Sequence, residues 1–233
     1  MTRTGNPAET RTLTESAYRL IRGDILSGSI EPENRLQIVD LSQRHGTSGS
    51  AVREALSRLV SENLVTVEEQ KGFRAAPMSV REFREITELR VLLETEAMRR
   101  AIALGGEEWE AGIVAAYYRL QLAEKRVGSG EAEAAADWEL RNRDFHDALV
   151  AACDSQWLMR LRSLLYDHSY RYRSYSLAIG ALRRNSAAEH KLLREAILAK
   201  DAERACDLIR RHFLATLETY QRNAPIRGSN AGG

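Results

Sequence analysis

The spacing of apolar residues changes once along this chain, at Ala75-Ala76-Pro77. Residues 12–76 contain short apolar runs separated by turn residues, whereas most of the chain after Pro77 repeats apolar residues every three to four positions. The second spacing is that of amphipathic helices, each of which must bury its apolar face against other helices. The sequence therefore predicts two domains, residues 12–77 and residues 78–222, and the second is entirely helical.

Composition narrows the class of protein. The 233 residues carry a formal net charge of +1, so total charge favours neither a nucleic acid nor a membrane as partner. Two cysteines, Cys153 and Cys206, are too few for a disulfide scaffold and indicate a reducing compartment. No apolar run approaches the roughly 18 residues of a membrane span, and the polar N-terminus is unlike a signal peptide. We therefore expect a cytoplasmic protein with no membrane partner, and disordered polar tails at residues 1–11 and 223–233.

The first domain has the element order of a winged helix-turn-helix. The predicted elements are helices at 13–26, 38–44 and 50–62 and strands at 64–67 and 73–75. A tight turn at His45-Gly46-Thr47 separates the second and third helices, and in this motif the third helix enters the DNA major groove. A small α+β domain that only presents an interaction surface remains the alternative, because residues 1–78 contain ten Lys and Arg against ten Asp and Glu.

The second domain consists of six helical stretches with short connections. They span residues 80–104, 107–127, 131–152, 155–179, 186–200 and 201–221. Short connections between helices of this length predict an antiparallel bundle. The fold class is therefore mainly α, with an N-terminal winged helix-turn-helix and a C-terminal six-helix bundle.

Three histidines of the bundle are patterned. His190 lies 10 to 11 residues before the turn at Lys200-Asp201 and His212 lies 11 to 12 residues after it, so at about 1.5 Å per residue both reach the same level of a helical hairpin. Asn142 and His146 share a face of a third helix. Three imidazoles and an oxygen suit Zn²⁺ or Ni²⁺. The alternative is that each histidine is an ordinary core residue with satisfied hydrogen bonds.

Several motifs of the first domain resemble the DNA-binding domain of the GntR family of bacterial transcription regulators. They are I-L-x-G-x-I-x-P, V-R-E-A-L-x-R-L in the third helix, N-L-V before the first strand, and K-G-F at the tip of the wing. Arg53 matches the second of two arginines that contact phosphates and bases in this family, and Gly49 stands in place of the first. The resemblance implies DNA contacts from Ser48, Ser50 and Arg53, and Arg58, Lys71 and Arg74 are further candidates whose alternative is plain solvated charge.

The bundle resembles the all-helical effector domain, called the FCD domain, of FadR-type GntR regulators. The matching motifs are N-R-x-F-H-x-A-L-V-x-A, E-H-x-x-L-x-x-A-I-L-A-x-D and I-R-x-H-F. Many members bind a divalent metal through an aspartate and three histidines, and these positions fall on Asn142, His146, His190 and His212. The aspartate position holds a neutral amide in this chain, which is a poorer ligand.

Effector-binding residues are also implied by this resemblance. Arg90 matches an arginine of the first effector-domain helix that reaches into the pocket of family members, and its alternative is a surface ion pair with Glu94. Tyr172 lies in a run of alternating tyrosine and arginine that offers donors for a carboxylate, and its alternative is a solvated helix face. His168 matches no role.

Further stretches, among them G-G-x-E-W-E-A, resemble a family member that represses glutarate and 4-aminobutyrate breakdown. The resemblance implies a homodimeric repressor of a DNA operator that responds to a small carboxylate, with a dicarboxylate such as glutarate as the example. The alternatives are a metal-dependent enzyme and an interaction protein with a structural metal. An enzyme needs a general base beside the metal, but H-E-x-x-H does not occur and Asp147 and Glu189 are expected to point away from the histidine stripe.

Overall fold

The computed structural model describes residues 7–69, 71–127, 132–178 and 186–223. For residues 7–11, 132 and 178 it describes the backbone only. The first elements are α1 (Pro7–Ser27), β1 (Arg35–Leu36), α2 (Ile38–His45), α3 (Gly49–Ser61), β2 (Val65–Glu68) and β3 (Gly72–Ala75). The remaining elements are α4 (Val80–Leu104), α5 (Glu107–Val127), α6 (Ala132–Leu149), α7 (Gln156–Ala178), α8 (Ser186–Leu198) and α9 (Ala202–Asn223).

The described residues divide into two compact units. The N-terminal unit contains the chain up to Phe83 together with the end of α7, from Asp167 onward. The C-terminal unit contains α4 from Arg84, α5, α6, the beginning of α7 up to Tyr166, α8 and α9. The predicted boundary at residue 77 thus leaves out one part of the N-terminal unit, the end of α7.

In the N-terminal unit, α1, α2 and α3 enclose one apolar core in which Ile21 of α1 and Leu56 of α3 are fully buried. Gly46 ends α2 with a φ of 59°, a left-handed conformation that glycine adopts without steric cost, and this makes the turn between α2 and α3 tight. Ser48 caps α3, because its hydroxyl accepts the backbone N–H of Ala51 at 3.2 Å. The predicted helix-turn-helix is confirmed.

The wing is a three-stranded antiparallel sheet in the order β1-β3-β2. The two predicted strands are confirmed as β2 and β3. The strand β1 was not predicted, because two residues carry no periodicity and Arg35 is placed only by pairing with Arg74 of β3.

The end of α7 is bound to the winged helix by polar contacts inside the N-terminal unit. Asp167 accepts a hydrogen bond from Arg22 at 2.5 Å, and Arg22 also donates to Glu62 at 3.0 Å. His168 donates from Nε2 to the backbone carbonyl of Glu62 at 2.8 Å. The C-terminal part of α7 therefore belongs to this unit through specific hydrogen bonds as well as proximity.

The six predicted helices of the bundle are confirmed as α4 to α9, and the bounds of α4 and α5 agree with the predicted ones at both ends. One predicted tail needs correction: α1 begins at Pro7, since proline is well suited to the first helical position, where its missing N–H has no partner to lose. The rest of the predicted tails, residues 1–6 and 224–233, and the predicted break at 128–130 lie outside the described residues. Within the described part of the chain, no helix is apolar enough over a sufficient length to cross a membrane.

Candidate metal centre and nucleic-acid interface

Three histidines from three helices of the C-terminal unit meet in its interior: His146 of α6, His190 of α8 and His212 of α9. The ring centroids are 5.6 Å apart for His146 and His190, 5.2 Å for His146 and His212, and 5.0 Å for His190 and His212. One ring nitrogen from each residue lies within 4.8 Å of the other two. The predicted level match of His190 and His212 is therefore confirmed, and the three nitrogens are close enough to share one ion.

Two of these rings have a nitrogen without a hydrogen-bond partner. Nδ1 of His146 and Nε2 of His190 are both buried, and no group in the described part of the chain bonds to them. Burying a polar nitrogen without a partner costs free energy, so buried imidazoles in ordinary cores are hydrogen-bonded. A first-row metal ion would use both lone pairs. This observation favours a ligand role over the alternative of satisfied core histidines.

Two carboxylates orient the histidines. Nδ1 of His190 donates to Oε1 of Glu124 at 3.0 Å, and Nδ1 of His212 donates to Oε2 of Glu189 at 2.7 Å. With the proton held on Nδ1, each ring offers Nε2 as the ligand nitrogen, and a carboxylate behind a histidine is the usual arrangement in metal sites.

Glu124 was not predicted from the sequence, and the expectation that Glu189 points away from the histidine stripe is wrong. Glu189 precedes His190 on α8, and its flexible side chain reaches α9, so its position on the helical wheel did not decide its partner. The E-H dipeptide next to a helical hairpin is the signal that would have indicated it. Glu124 lies on α5, 66 residues before His190, and no local pattern points to it.

Asn142 lies one helical turn before His146 and is buried. Its amide Nδ2 donates to the hydroxyl of Tyr166 at 3.1 Å, and that hydroxyl donates to Glu139 at 3.0 Å. Because Nδ2 is engaged in this chain of hydrogen bonds, only Oδ1 could serve a metal. The assignment of Asn142 as a fourth ligand stays a prediction.

His146 is held in its neutral form. Its burial lowers its pKa well below the ordinary value, and the neighbouring His212 and His190 and the positive charges of Arg90 and Arg162 lower it further. A neutral imidazole has the free lone pair that a metal needs, whereas an imidazolium has none. The electrostatics of the unit therefore suit a ligand role for His146 at neutral pH.

Arg90 lies beside the histidines and is not the surface ion pair that its alternative described. It is only 5% exposed, its Nη2 lies 3.5 Å from Oε1 of the fully buried Glu94, and its guanidinium sits 3.9 Å above the ring of Phe213. The same ring has its centroid 6.1 Å from that of His146 and 5.7 Å from that of His212. A buried cation at this place can attract an anionic ligand.

Tyr172 lies in the N-terminal unit, where it is buried and its ring stacks on Phe83 at 4.2 Å. Its hydroxyl donates to Glu82, and burial raises its pKa. The neighbouring Arg171 is also buried and donates to the carbonyl of Ala76 at 2.8 Å. This run is therefore not a solvated face. Tyr172 belongs to the N-terminal unit and the histidines to the C-terminal unit, and the effector role of Tyr172 stays a prediction.

The exposed face of α3 carries the strongest DNA candidates. Ser48, Ser50 and Arg53 are exposed, and the hydroxyls of Ser48 and Ser50 lie 3.0 Å apart at the first turn of the helix. Arg53 follows on the same face and forms no ion pair with any residue that the structure describes. Its charge is available to an external anion.

The other three candidates differ in availability. Arg58 donates to Glu15 at 2.8 Å and lies 3.6 Å above the ring of Tyr18, so its charge is already paired. Arg74 is also engaged, with Glu68 at 3.0 Å. Lys71 is 71% exposed with its ammonium 3.9 Å from Glu68, a loose pair that DNA can displace.

Comparison with known proteins identifies both units. Residues 13–74 match the model of the bacterial regulatory proteins of the gntR family, and residues 85–215 match the FCD domain. The HTH-type transcriptional regulator BphR of Paraburkholderia xenovorans (strain LB400) is 40% identical over 220 residues, which cover 94% of this chain and 90% of that protein. The HTH-type transcriptional repressor GlaR of Escherichia coli (strain K12) is 37% identical over 209 residues, 88% and 94% of the two proteins.

Among solved structures, E. coli McbR/YncC is similar with a TM-score of 0.74 and 24% identity, over 90% of this chain and 98% of that one, and so has the same fold. The matched family and relatives are transcription regulators and not enzymes, which confirms the expectation that this chain has no enzymatic role and excludes the metal-dependent enzyme. With a gntR-type winged helix-turn-helix followed by an FCD domain, the chain belongs to the GntR family of bacterial transcription regulators.

Proposed function

We propose that this regulator is a homodimeric repressor, acting in the cytoplasm, whose operator binding is controlled by a small carboxylate bound in the helical bundle. The observation that carries the proposal is the convergence of His146, His190 and His212 with two buried ring nitrogens that lack a hydrogen-bond partner among the described residues. The repressing direction is supported by the similarity to the repressor GlaR. The dicarboxylate class, with glutarate as the example, is supported by the motifs of the sequence.

The residues present fit a divalent metal such as Zn²⁺ or Ni²⁺. His146, His190 and His212 would hold it, with Oδ1 of Asn142 as the fourth donor. A bound ion would supply concentrated positive charge that attracts a carboxylate. The chain itself contributes the orientation of His190 and His212 through the two glutamates.

DNA binding is assigned to the exposed face of α3 and to the wing. Ser48 and Ser50 at the helix N-terminus suit phosphate oxygens, and Arg53 suits a guanine edge. A dimer would place two such helices on a palindromic operator. The effector then controls transcription by binding more tightly to one arrangement of the two DNA-binding domains of the dimer than to the other.

Two experiments test this proposal. A gel shift with the DNA upstream of the protein's own gene is expected to show a protein–DNA complex at physiological salt that dissociates when a dicarboxylate is added. Absence of a shifted band would contradict the operator role. Metal analysis of purified protein against His146→Ala is expected to show about one ion per chain only in the wild type. Equal metal content in both would remove His146 as a ligand.

A thermal-shift screen then identifies the effector, since a ligand that binds only the folded state raises the apparent stability. Dicarboxylates from four to six carbons are compared with monocarboxylates of equal length. The homodimer is tested on the same samples by sedimentation, where a monomer at micromolar concentration would contradict it.

A further inference from the structure

Arg162, in the first part of α7, has an unusual set of partners for a buried cation. Its side chain is 2% exposed, Nε donates to Oε2 of Glu94 at 2.8 Å, and Nη1 donates to Oδ1 of Asp147 at 2.5 Å. Its third nitrogen, Nη2, is buried and makes no hydrogen bond within the described part of the chain. Carboxylates thus fix Nε and Nη1 of the guanidinium, and the N–H groups of Nη2 have no acceptor among the described residues.

The contacts around Arg162 place it near the histidine cluster. Glu94, its partner at Nε, also faces Nη2 of Arg90 at 3.5 Å. Arg90 in turn stacks on Phe213, whose ring neighbours His146 and His212. The partner of Arg162 at Nη1, Asp147, directly follows His146 on α6.

The chemistry of the guanidinium selects the kind of ligand that Nη2 would take. An arginine is always charged, and its planar N–H groups match the two oxygens of a carboxylate. The fixed bonds to Glu94 and Asp147 hold the plane in one orientation, so a bound anion would meet a donor that is already in place. Arg143 of α6 is different, since it is 36% exposed and its Nη2 already donates to Ser163 at 3.0 Å.

We propose that Nη2 of Arg162 binds a carboxylate group of the effector and makes the pocket prefer dicarboxylates over monocarboxylates. The proposal rests on the proposed function, in which a small carboxylate enters this bundle. A dicarboxylate has one group for the region of the histidines and Arg90 and a second group for Arg162, whereas a monocarboxylate of the same length can bind in only one of these two places.

The test measures dissociation constants by titration calorimetry on full-length protein with one equivalent of zinc. The two probes are glutarate and pentanoate, which have five carbons each, and the variants are Arg162→Lys and the matched control Arg143→Lys. Lysine keeps the charge and loses the fixed Nη2 donor. We expect Arg162→Lys to weaken glutarate binding about 10- to 100-fold and to leave pentanoate binding within about 3-fold, because a charge-assisted hydrogen bond is lost for one acid only. The control is expected to leave both acids unchanged.

The outcomes separate the two proposals. Unchanged glutarate binding in Arg162→Lys, or an equal loss for both acids, would overturn the role of Arg162 and leave the effector class intact. If the wild type binds neither acid while it still shifts DNA, the effector class of the proposed function is refuted instead.

A second variant covers the case in which Arg162→Lys loses its cooperative thermal transition. Asp147 is 46% exposed, so Asp147→Asn is expected to fold, and it removes one of the two negative charges that compete for the guanidinium. We expect glutarate to bind about 3-fold more tightly at low salt. Unchanged or weaker binding would overturn the proposal.

Discussion

The exposed face of α3 and the histidine cluster differ in exposure and in the number of helices that build them. On α3, Arg53 is exposed without an ion pair to any described residue, and the predicted contact residues all come from the local sequence of one helix end. In the bundle, three helices bring buried ring nitrogens together, and Glu124 and Glu189 orient two of the rings. Loss of one group on α3 should therefore weaken DNA binding only in part, because the other groups still contact the DNA. Loss of one ligand in the bundle should remove metal binding almost entirely.

The largest effect is therefore expected for His190→Ala. Removing one of three converging imidazoles should lower the affinity for zinc more than about 100-fold, while Glu124→Gln, which alters only the orienting partner, should lower it about 10- to 100-fold. Competition with a chromophoric chelator measures both. His45→Ala, a histidine of the N-terminal unit, is the control and should bind zinc as the wild type does. Equal losses for His190→Ala and Glu124→Gln would contradict the division into ligand and orienting partner.

The next effect concerns α3. Arg53→Ala should weaken operator binding about 10- to 100-fold, because a base-reading arginine contributes about 1–3 kcal/mol. Arg58→Ala, five residues further along the same helix, should weaken it less than about 3-fold, since Glu15 and Tyr18 already hold that guanidinium. Gel-shift titrations at fixed salt measure both. If the two variants lose equal affinity, availability in the free protein does not decide which arginine contacts DNA.

The same contrast explains what could be predicted from the sequence. Helices α4 and α5 were predicted to the residue because their apolar spacing is a local property. Helix α3 was predicted for the same reason, at residues 50–62. The strand β1 was not predicted, because it forms by pairing with β3, which follows it in the sequence only after α2, α3 and β2.

In the bundle, the contacts that could be predicted were those that follow from distance along the sequence. Equal distance from one turn brought His190 and His212 to the same level, and the rings are adjacent. Glu124 and Arg162 come from α5 and α7 and meet their partners through packing that no spacing rule contains. Glu189 was misassigned because a helical wheel gives the direction of Cβ, whereas a long side chain can reach a neighbouring helix.

A third, smaller effect is expected at Asn142, the predicted fourth ligand of the metal. Asn142→Asp replaces a neutral amide by an anionic ligand one turn before His146, and we expect the zinc affinity to rise about 10-fold. The gain is limited because the hydrogen bond from Nδ2 to Tyr166 is lost and Glu139 lies at the other end of that chain. Chelator competition compares it with Asn142→Ala, which should not bind more tightly than the wild type. A weaker site in Asn142→Asp would show that this side chain does not face the metal.

The smallest effect contrasts a partnered histidine with the cluster. His168 is buried, and its Nε2 already donates to the carbonyl of Glu62. Burial lowers its pKa below the ordinary 6.5, Arg171 adds to this, and the hydrogen bond to Glu62 and the charges of Glu82 and Asp167 oppose it. As the pH falls through 6.5, the unfolded chain binds a proton that the folded chain binds less readily, so stability decreases toward acid.

His168→Gln keeps a donor for Glu62 and removes the titration. The wild type should therefore lose more stability than the variant between pH 7.5 and 5.5, by at most about 1.4 kcal/mol for each pH unit below 6.5. Urea unfolding of metal-free protein at both pH values measures this difference, and zinc affinity should be the same in variant and wild type. Parallel stability curves would mean that His168 carries its proton equally in both states. A loss of zinc binding in the variant would mean that His168 contributes to the metal site and is not only a hydrogen-bonded core histidine.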